Sequence, residues 1–305
     1  MTTPVLPGLD EPPVPEWPGQ LERVARVELF VRHAPCAGPD PAPAVFLHGL
    51  GGASTNFTDL MHLLHDVVEG WALDLPGFGR SGPNEAGYSI ATHTQVVIAF
   101  LESLGAGPVH VFGNSMGGAV AVRLAHQRPD LVRSLTLLAP ALPDLRPRRV
   151  EPRLPVVAAP VIGERVWKAL ARQAPEKRAA ALLNLCYADP GRVRPERRAA
   201  AVAEVARRRD VPHADDAFLG SVRSVIGSYL VRAGRVGWTE LARSEIPLLV
   251  VYGQQDRLVS ARNAARVSRL RPDAQVVVLD DCGHVPQMEH PEQVAVAVRK
   301  HLASL

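Results

Sequence analysis

Five short runs of apolar, largely β-branched residues recur along the chain, with helical stretches between them. They are Val45-Phe46-Leu47, Val109-His110-Val111-Phe112, Leu135-Thr136-Leu137-Leu138, Leu248-Leu249-Val250-Val251 and Val276-Val277-Val278-Leu279. Continuous apolar runs of this length, bounded by Gly, Pro or Asp, suit strands buried on both faces of a parallel sheet. Trp71-Ala72-Leu73-Asp74 is a weaker sixth strand, and Val24 to Val31 reads as an opening strand at the sheet edge. Helices are predicted over Phe57–Leu64, Thr92–Leu104, Met116–His126, Ala261–Leu270 behind an N-capping Ser260, and Glu292–Leu302 behind Pro291. This alternation predicts an α/β fold, a mostly parallel doubly wound sheet with its functional loops at the carboxyl ends of the strands.

The strand signals stop between Ala141 and Leu241. That stretch reads as helices broken by prolines, over Glu164–Arg172, Glu176–Tyr187, Glu196–Arg209 and Ala217–Val231. The chain of 305 residues therefore divides into a Pro-rich arm over 1–22, an α/β core over 23–140 and 242–305, and an inserted helical module over 141–241. Six prolines in the first twenty residues make the arm an extended segment.

Charge sets the insertion apart too. Between Ala141 and Glu240, 17 Arg and 2 Lys face 11 acids, a surplus of eight, while the whole chain carries only +3. The rest of the chain is thus mildly acidic, which argues against a nucleic-acid-binding fold. Arginines at helical spacing are expected on a solvated face, or facing an anionic substrate or surface. Cys36, Cys186 and Cys282 are far apart, with no metal-ligand spacing and no disulfide framework; with no secretory leader evident, they are expected as free thiols in a cytoplasmic protein. No run reaches the roughly 20 apolar residues of a membrane span.

The strongest local signal is Gly113-Asn114-Ser115-Met116-Gly117-Gly118, directly after the strand VHVF and directly before a helix. In a turn so sharp, Gly113 and Gly117 avoid steric clash, and Ser115 is lifted above the sheet edge at a helix N-terminus, where developing negative charge is favoured. A glycine-rich turn with an incidental serine is the alternative reading. A nucleophilic serine needs a base, and the base an orienting acid. Residues 275–284 (QVVVLDDCGH) run from a strand into a loop ending at His284, and residues 248–256 (LLVVYGQQD) into a loop ending at Asp256. The order Ser115, Asp256, His284 is the order of the strand–turn–helix hydrolase elbow. Asp144, Asp280 and Asp281 compete with Asp256 for the acid. His48-Gly49-Leu50-Gly51-Gly52 follows the strand AVFL; its glycines would let backbone N–H groups approach an oxyanion, with Leu50 and Met116 as donors and His48 bracing the loop.

On these stretches, together with DLPGFGRS at 74–81 and CGHVPQMEHPE at 282–292, the chain resembles the α/β-hydrolase superfamily, in its esterase- and lipase-like branch with a serine nucleophile and a helical cap. The resemblance covers residues 45–300. It implies a catalytic triad of Ser115, Asp256 and His284, an oxyanion hole at Leu50 and Met116, and glycines 49, 51, 113 and 117 shaping loop and elbow. It implies no metal and no organic cofactor, and a small-molecule carboxylic ester as substrate. A carbon–carbon hydrolase of the meta-cleavage-product type would use the same triad, and a non-enzymatic ligand-binding protein the same fold. Phe57, Trp167, Tyr187, Phe218 and Tyr229 are candidates for the pocket wall or for ordinary core.

Overall fold

The computed structural model describes residues 4–8, 11–144, 153–230 and 236–305. Eight strands form one sheet: β1 (Gly19–Val24), β2 (Val27–Ala34), β3 (Ala42–Leu47), β4 (Val68–Leu73), β5 (Val109–Asn114), β6 (Val132–Leu138), β7 (Leu248–Gly253) and β8 (Gln275–Leu279), in the order 1-2-4-3-5-6-7-8. Only β1–β2 and β2–β4 pair antiparallel; from β4 to β8 every pair is parallel. The opening differs from the single strand expected over Val24–Val31. Ala25, at φ 53°, turns the chain back on itself, so that run straddles a hairpin. Neither residue of the Ala25-Arg26 turn is a Gly or Asn, and so nothing in the sequence marked it.

The helices outside the insertion are α1 (Thr58–Leu64), α2 (Ile90–Leu104), α3 (Met116–Gln127), α10 (Asn263–Leu270), α11 (Pro286–Glu289) and α12 (Pro291–Leu302). Successive residues of the central strands enter opposite cores, as the period of two demands. Val45, Leu47, Val111, Leu137, Val250 and Tyr252 pack with α2, α3 and α10. Phe46, Phe112, Leu138 and Val251 pack with α1 and α12, where Phe46 and Phe112 stack at 4.4 Å. Both faces being covered, every residue of β5 and β7 is buried. Helix α10 begins at Asn263, two residues later than expected. Ser260 opens a tight turn instead, its carbonyl accepting from the N–H of Asn263 at 3.0 Å.

Between β6 and β7 lies the insertion: α4 (Arg153–Ala158), α5 (Ile162–Ala171), α6 (Pro175–Cys186), α7 (Pro195–Arg208), α8 (Ala214–Leu230) and α9 (Val236–Arg243). The prolines that break the pattern stand at the first turn of α6 and α7, where a missing N–H costs nothing. Val231, the expected last residue of α8, lies outside the described residues. Several arginines here grip other parts of the chain, while Arg165, Arg172, Arg198 and Arg209 are exposed. Arg197 pairs with Asp59 at 2.5 Å, Arg192 with Asp281 at 2.5 Å, and Arg207 donates to the carbonyl of Gly79. Arg194 donates to the carbonyls of Pro7, Gly8 and Glu11, lashing the N-terminal arm to α7. The three cysteines are free thiols.

Candidate active site

The sharp turn between β5 and α3 sets the geometry of the site. A Cβ at Gly113 would lie 2.5 Å from the carbonyl oxygen of Gly117, and one at Gly117 would lie 2.2 Å from that of Leu47, so only glycine permits the approach of strand to helix. Ser115 sits at the apex with φ 51° and ψ −114°, a conformation that costs a non-glycine residue on the order of 1–3 kcal/mol. Its neighbours hold it there: its N–H donates to Leu138, and its carbonyl accepts from Ala119 and Ala141. Ser115 is also the N-cap of α3, so the positive end of that helix points at its surroundings.

His284 lies in the loop after β8, buried, with Nδ1 2.7 Å from Oδ2 of Asp256. A carboxylate can only accept, so Nδ1 carries the proton, and Nε2 is the ring nitrogen left without a partner among the described residues. The side chain of Asp256 is wholly buried, and its Oδ1 accepts from the N–H groups of Leu258 (2.7 Å) and Val259 (2.9 Å). Both carboxylate oxygens are thus satisfied, which fixes the acid in place. The other acids are elsewhere: Asp281 pairs with Arg192 and His290 on the surface, and neither Asp280 nor Asp144 reaches His284. Ser115 and His284 line one cavity of ≈ 250 Å³, without a direct hydrogen bond between their side chains.

Leu50 and Met116 line the same cavity. Their backbone N–H groups have no acceptor among the described residues, that of Met116 because it is the first residue of α3. Gly49 packs against the elbow, where a Cβ would lie 3.0 Å from Asn114 Oδ1 and 3.1 Å from Ser115 Cβ, and Gly51 (φ 74°) turns the loop. His48 braces it from behind. Its Nδ1 bonds the carbonyl of Gly49 at 2.7 Å, and its Nε2 accepts from the N–H of Leu75 at 2.9 Å. Burial lowers its pKa, against the opposing charge of Asp74, which suits an acceptor at Nε2.

The rest of the wall is apolar and comes mainly from inserted helices: Leu182, Leu183, Cys186, Phe218, Ile226 and Tyr229, with Tyr187 and Met288. Of the five aromatic candidates, Tyr187, Phe218 and Tyr229 are there. Phe57 is core, packed on Phe46 at 5.3 Å, and Trp167 faces a neighbouring hollow. Burial raises the Tyr229 pKa, with the carboxylates of Asp256 and Asp144 adding to the shift; the Cys186 thiol is pushed up to about 12, chiefly by burial and then by Asp256. Both groups are therefore protonated and neutral near pH 7.

Two residues near the site escaped the sequence reading. Asn114, the variable letter of the elbow motif, donates from Nδ2 to the carbonyls of Leu138 (3.0 Å) and His284 (3.1 Å). Glu289 is buried and accepts from the N–H of Gly283 (2.7 Å), next to His284, and from those of Ala188 (3.1 Å) and Asp189 (2.9 Å) just beyond α6. Among the described residues no cluster of His, Cys, Asp or Glu could hold a metal ion, and no helix is long and apolar enough to cross a membrane.

The comparisons agree with the fold. The family defined by the alpha/beta hydrolase fold matches residues 43–291, and the chain belongs to it. It is similar to the dihydrolipoyllysine-residue acetyltransferase component of the acetoin cleaving system of Cupriavidus necator, 29% identical over 85% of this chain and 63% of that one. The chain thus spans under two thirds of that relative's length. It is also similar to lipase LipV of Mycobacterium tuberculosis, 29% identical over 88% of this chain and 97% of the lipase. Among solved structures, Cfl2 of Burkholderia cenocepacia shares the fold at a TM-score of 0.78, with 20% identity over 98% of this chain and 99% of that one.

Proposed function

We propose that the chain is a serine hydrolase acting on carboxylic esters, with segment 141–241 as the cap that shapes its acyl pocket. The observation that carries this reading is the shared cavity. A strained Ser115 and the free Nε2 edge of an Asp256-bound His284 face one apolar chamber, with two unengaged backbone N–H groups beside them. Similarity to a lipase over most of both chains supports the ester as substrate class.

In this mechanism Ser115 Oγ attacks the acyl carbon as its proton passes to His284 Nε2, and Asp256 stabilises the imidazolium. The N–H groups of Leu50 and Met116 hold the oxyanion of the tetrahedral intermediate. Collapse breaks the bond to the alcohol oxygen, which takes the proton from Nε2 and leaves an acyl-Ser115. Water then attacks, gives its proton to Nε2, and the carboxylic acid departs as that proton returns to Ser115.

The test is hydrolysis of p-nitrophenyl esters from acetate to long acyl chains, with Ser115→Ala in parallel. Saturable turnover lost in the variant is expected, together with trapping of Ser115 by a fluorophosphonate. Equal turnover in both proteins would remove Ser115 as nucleophile. Product analysis with a vinylogous diketone separates carbon–carbon from ester cleavage.

A further inference from the structure

Beside the catalytic cavity lies a second hollow of ≈ 310 Å³, and Phe218 forms part of the wall of both. Four guanidinium groups surround it, Arg172, Arg178, Arg208 and Arg209, against one carboxylate, Asp215. Asp215 already accepts the indole N–H of Trp167 at 2.5 Å. Arg208 is tied down by Glu204 and by the carbonyl of Gly52, both at 2.9 Å, which anchors it to the loop beside Leu50. Arg172, Arg178 and Arg209 are different, since among the described residues they have neither ion pair nor side-chain hydrogen bond. Elsewhere on the inserted helices Arg192, Arg194, Arg197, Arg207 and Arg223 each grip a carboxylate. Here three cations converge with no such partner.

Arg172 and Arg209 are exposed, where water screens them, but Arg178 is half-buried beside Arg208, and like charges brought together there are unfavourable unless something of opposite sign enters the hollow. The cost shows at Arg178, whose pKa is lowered by burial and by Arg208 and Arg209, against the pull of Asp215. The arrangement also suits a ligand. The guanidinium of Arg178 sits 5.2 Å over the Trp167 ring, and Trp167 stacks on Phe218 at 3.9 Å and 12°, so the cations stand beside a flat aromatic wall that continues into the catalytic cavity. Guanidinium forks bind carboxylate and phosphate oxygens in pairs.

We propose that this hollow is a subsite for an anionic group, a carboxylate or a phosphate, carried by the ester substrate, which passes Phe218 from the scissile bond at Ser115 to the arginines. The proposal rests on the ester-hydrolase reading and narrows it to esters with an acidic end.

The experiment compares p-nitrophenyl monoesters of linear dicarboxylic acids with methyl-terminated esters of the same length. Wild type is expected to prefer the acidic ester at least tenfold in kcat/KM at one chain length, mainly through KM. In Arg178→Gln/Arg209→Gln that ratio is expected to fall about tenfold or more, and Arg178→Lys, which keeps the charge, to retain part of it. Titration calorimetry with inorganic phosphate reads the anion site without any turnover, and its heat is expected to vanish in the double variant. Phosphate binding with no preference for acidic esters would overturn the substrate assignment and leave a site for a free anion. An unchanged ratio in the double variant, or no phosphate binding, would overturn the subsite itself. If no ester of either kind were turned over while phosphate still bound, the ester reading would fail first and the substrate assignment with it.

Discussion

The side-chain amide of Asn114 donates to the backbone carbonyl of His284 at 3.1 Å, and through the same nitrogen to the carbonyl of Leu138 at 3.0 Å. One buried amide thus ties the residue before the candidate nucleophile to the backbone of the candidate base, 170 positions away in the chain. Asn114→Ala removes both bonds and leaves the His284 carbonyl without a donor, while the Leu138 carbonyl keeps the N–H of Ser115. Because small misplacements of reacting groups cost much in rate, kcat is expected to fall roughly 10- to 100-fold with KM little changed. Steady-state kinetics on a short-chain ester decides it; a change confined to KM would assign Asn114 to substrate binding instead.

Strain at Ser115 has a measurable counterpart. Its φ of 51° is accessible to glycine without penalty, so Ser115→Gly should unfold at higher urea than Ser115→Ala, by about 1 kcal/mol, while both lack hydrolysis. Equal midpoints for the two variants would mean that the elbow relaxes once the hydroxyl is gone.

Glu289 joins the loop of His284 to the backbone just after α6 through three N–H donors. Glu289→Ala leaves all three donors without their acceptor, that of Gly283 buried and those of Ala188 and Asp189 part-buried, an expected loss of about 1–3 kcal/mol. Limited proteolysis should then cut the segment around Ala188 faster than in wild type. An unaltered digestion pattern, with unaltered stability, would show that other contacts suffice to dock α6.

Two buried histidines away from the site predict acid sensitivity. Burial holds His93 down to about 3, helped by repulsion from His48, and His110 down to about 4, helped by Arg133 and His301. Nε2–H of His93 donates to Ser221 Oγ, because that hydroxyl gives its own proton to the carbonyl of Tyr88. Unfolded, each ring titrates near about 6.5, so below that pH the unfolded chain binds more protons than the folded one. Their contribution to stability is whole above about pH 6.5 and is lost as pH falls through about 4 and then 3. Near pH 5 the two together should give a slope of up to about 2.5 kcal/mol per pH unit. Urea unfolding at several pH values measures it, and His93→Gln should reduce the slope by about 1 kcal/mol per unit. No reduction would place the sensitivity elsewhere.

The elbow was readable because its stereochemistry leaves few choices: a strand, two obligatory glycines and a helix within ten residues. Asp256 and His284 were readable for a related reason, since each ends a loop directly after an apolar run. Glu289 was not, because two of its three partners lie about a hundred positions upstream, and a local pattern carries no trace of them. The arginines of the insertion misled in part for the same cause, although Arg165, Arg172, Arg198 and Arg209 are exposed as expected. Helical spacing suggested a wet face, but Arg194 and Arg197 point at the arm and at α1. The hairpin at Ala25 hid because a non-glycine residue takes the positive φ there.

Strands β6 and β7 are hydrogen-bonded neighbours, Leu135 beside Leu248, yet more than a hundred residues of chain separate them. An excursion that departs and returns one strand apart puts no demand on the register of the other six strands. New lengths and sequences can be spliced in at that seam without reordering the sheet, provided the backbone around Cys186 to Asp189 still meets the His284 N–H and the Glu289 carboxylate. Selection for a different ligand therefore has a single contiguous stretch of gene to work on, and an engineer wishing to transplant specificity would cut at the same two points.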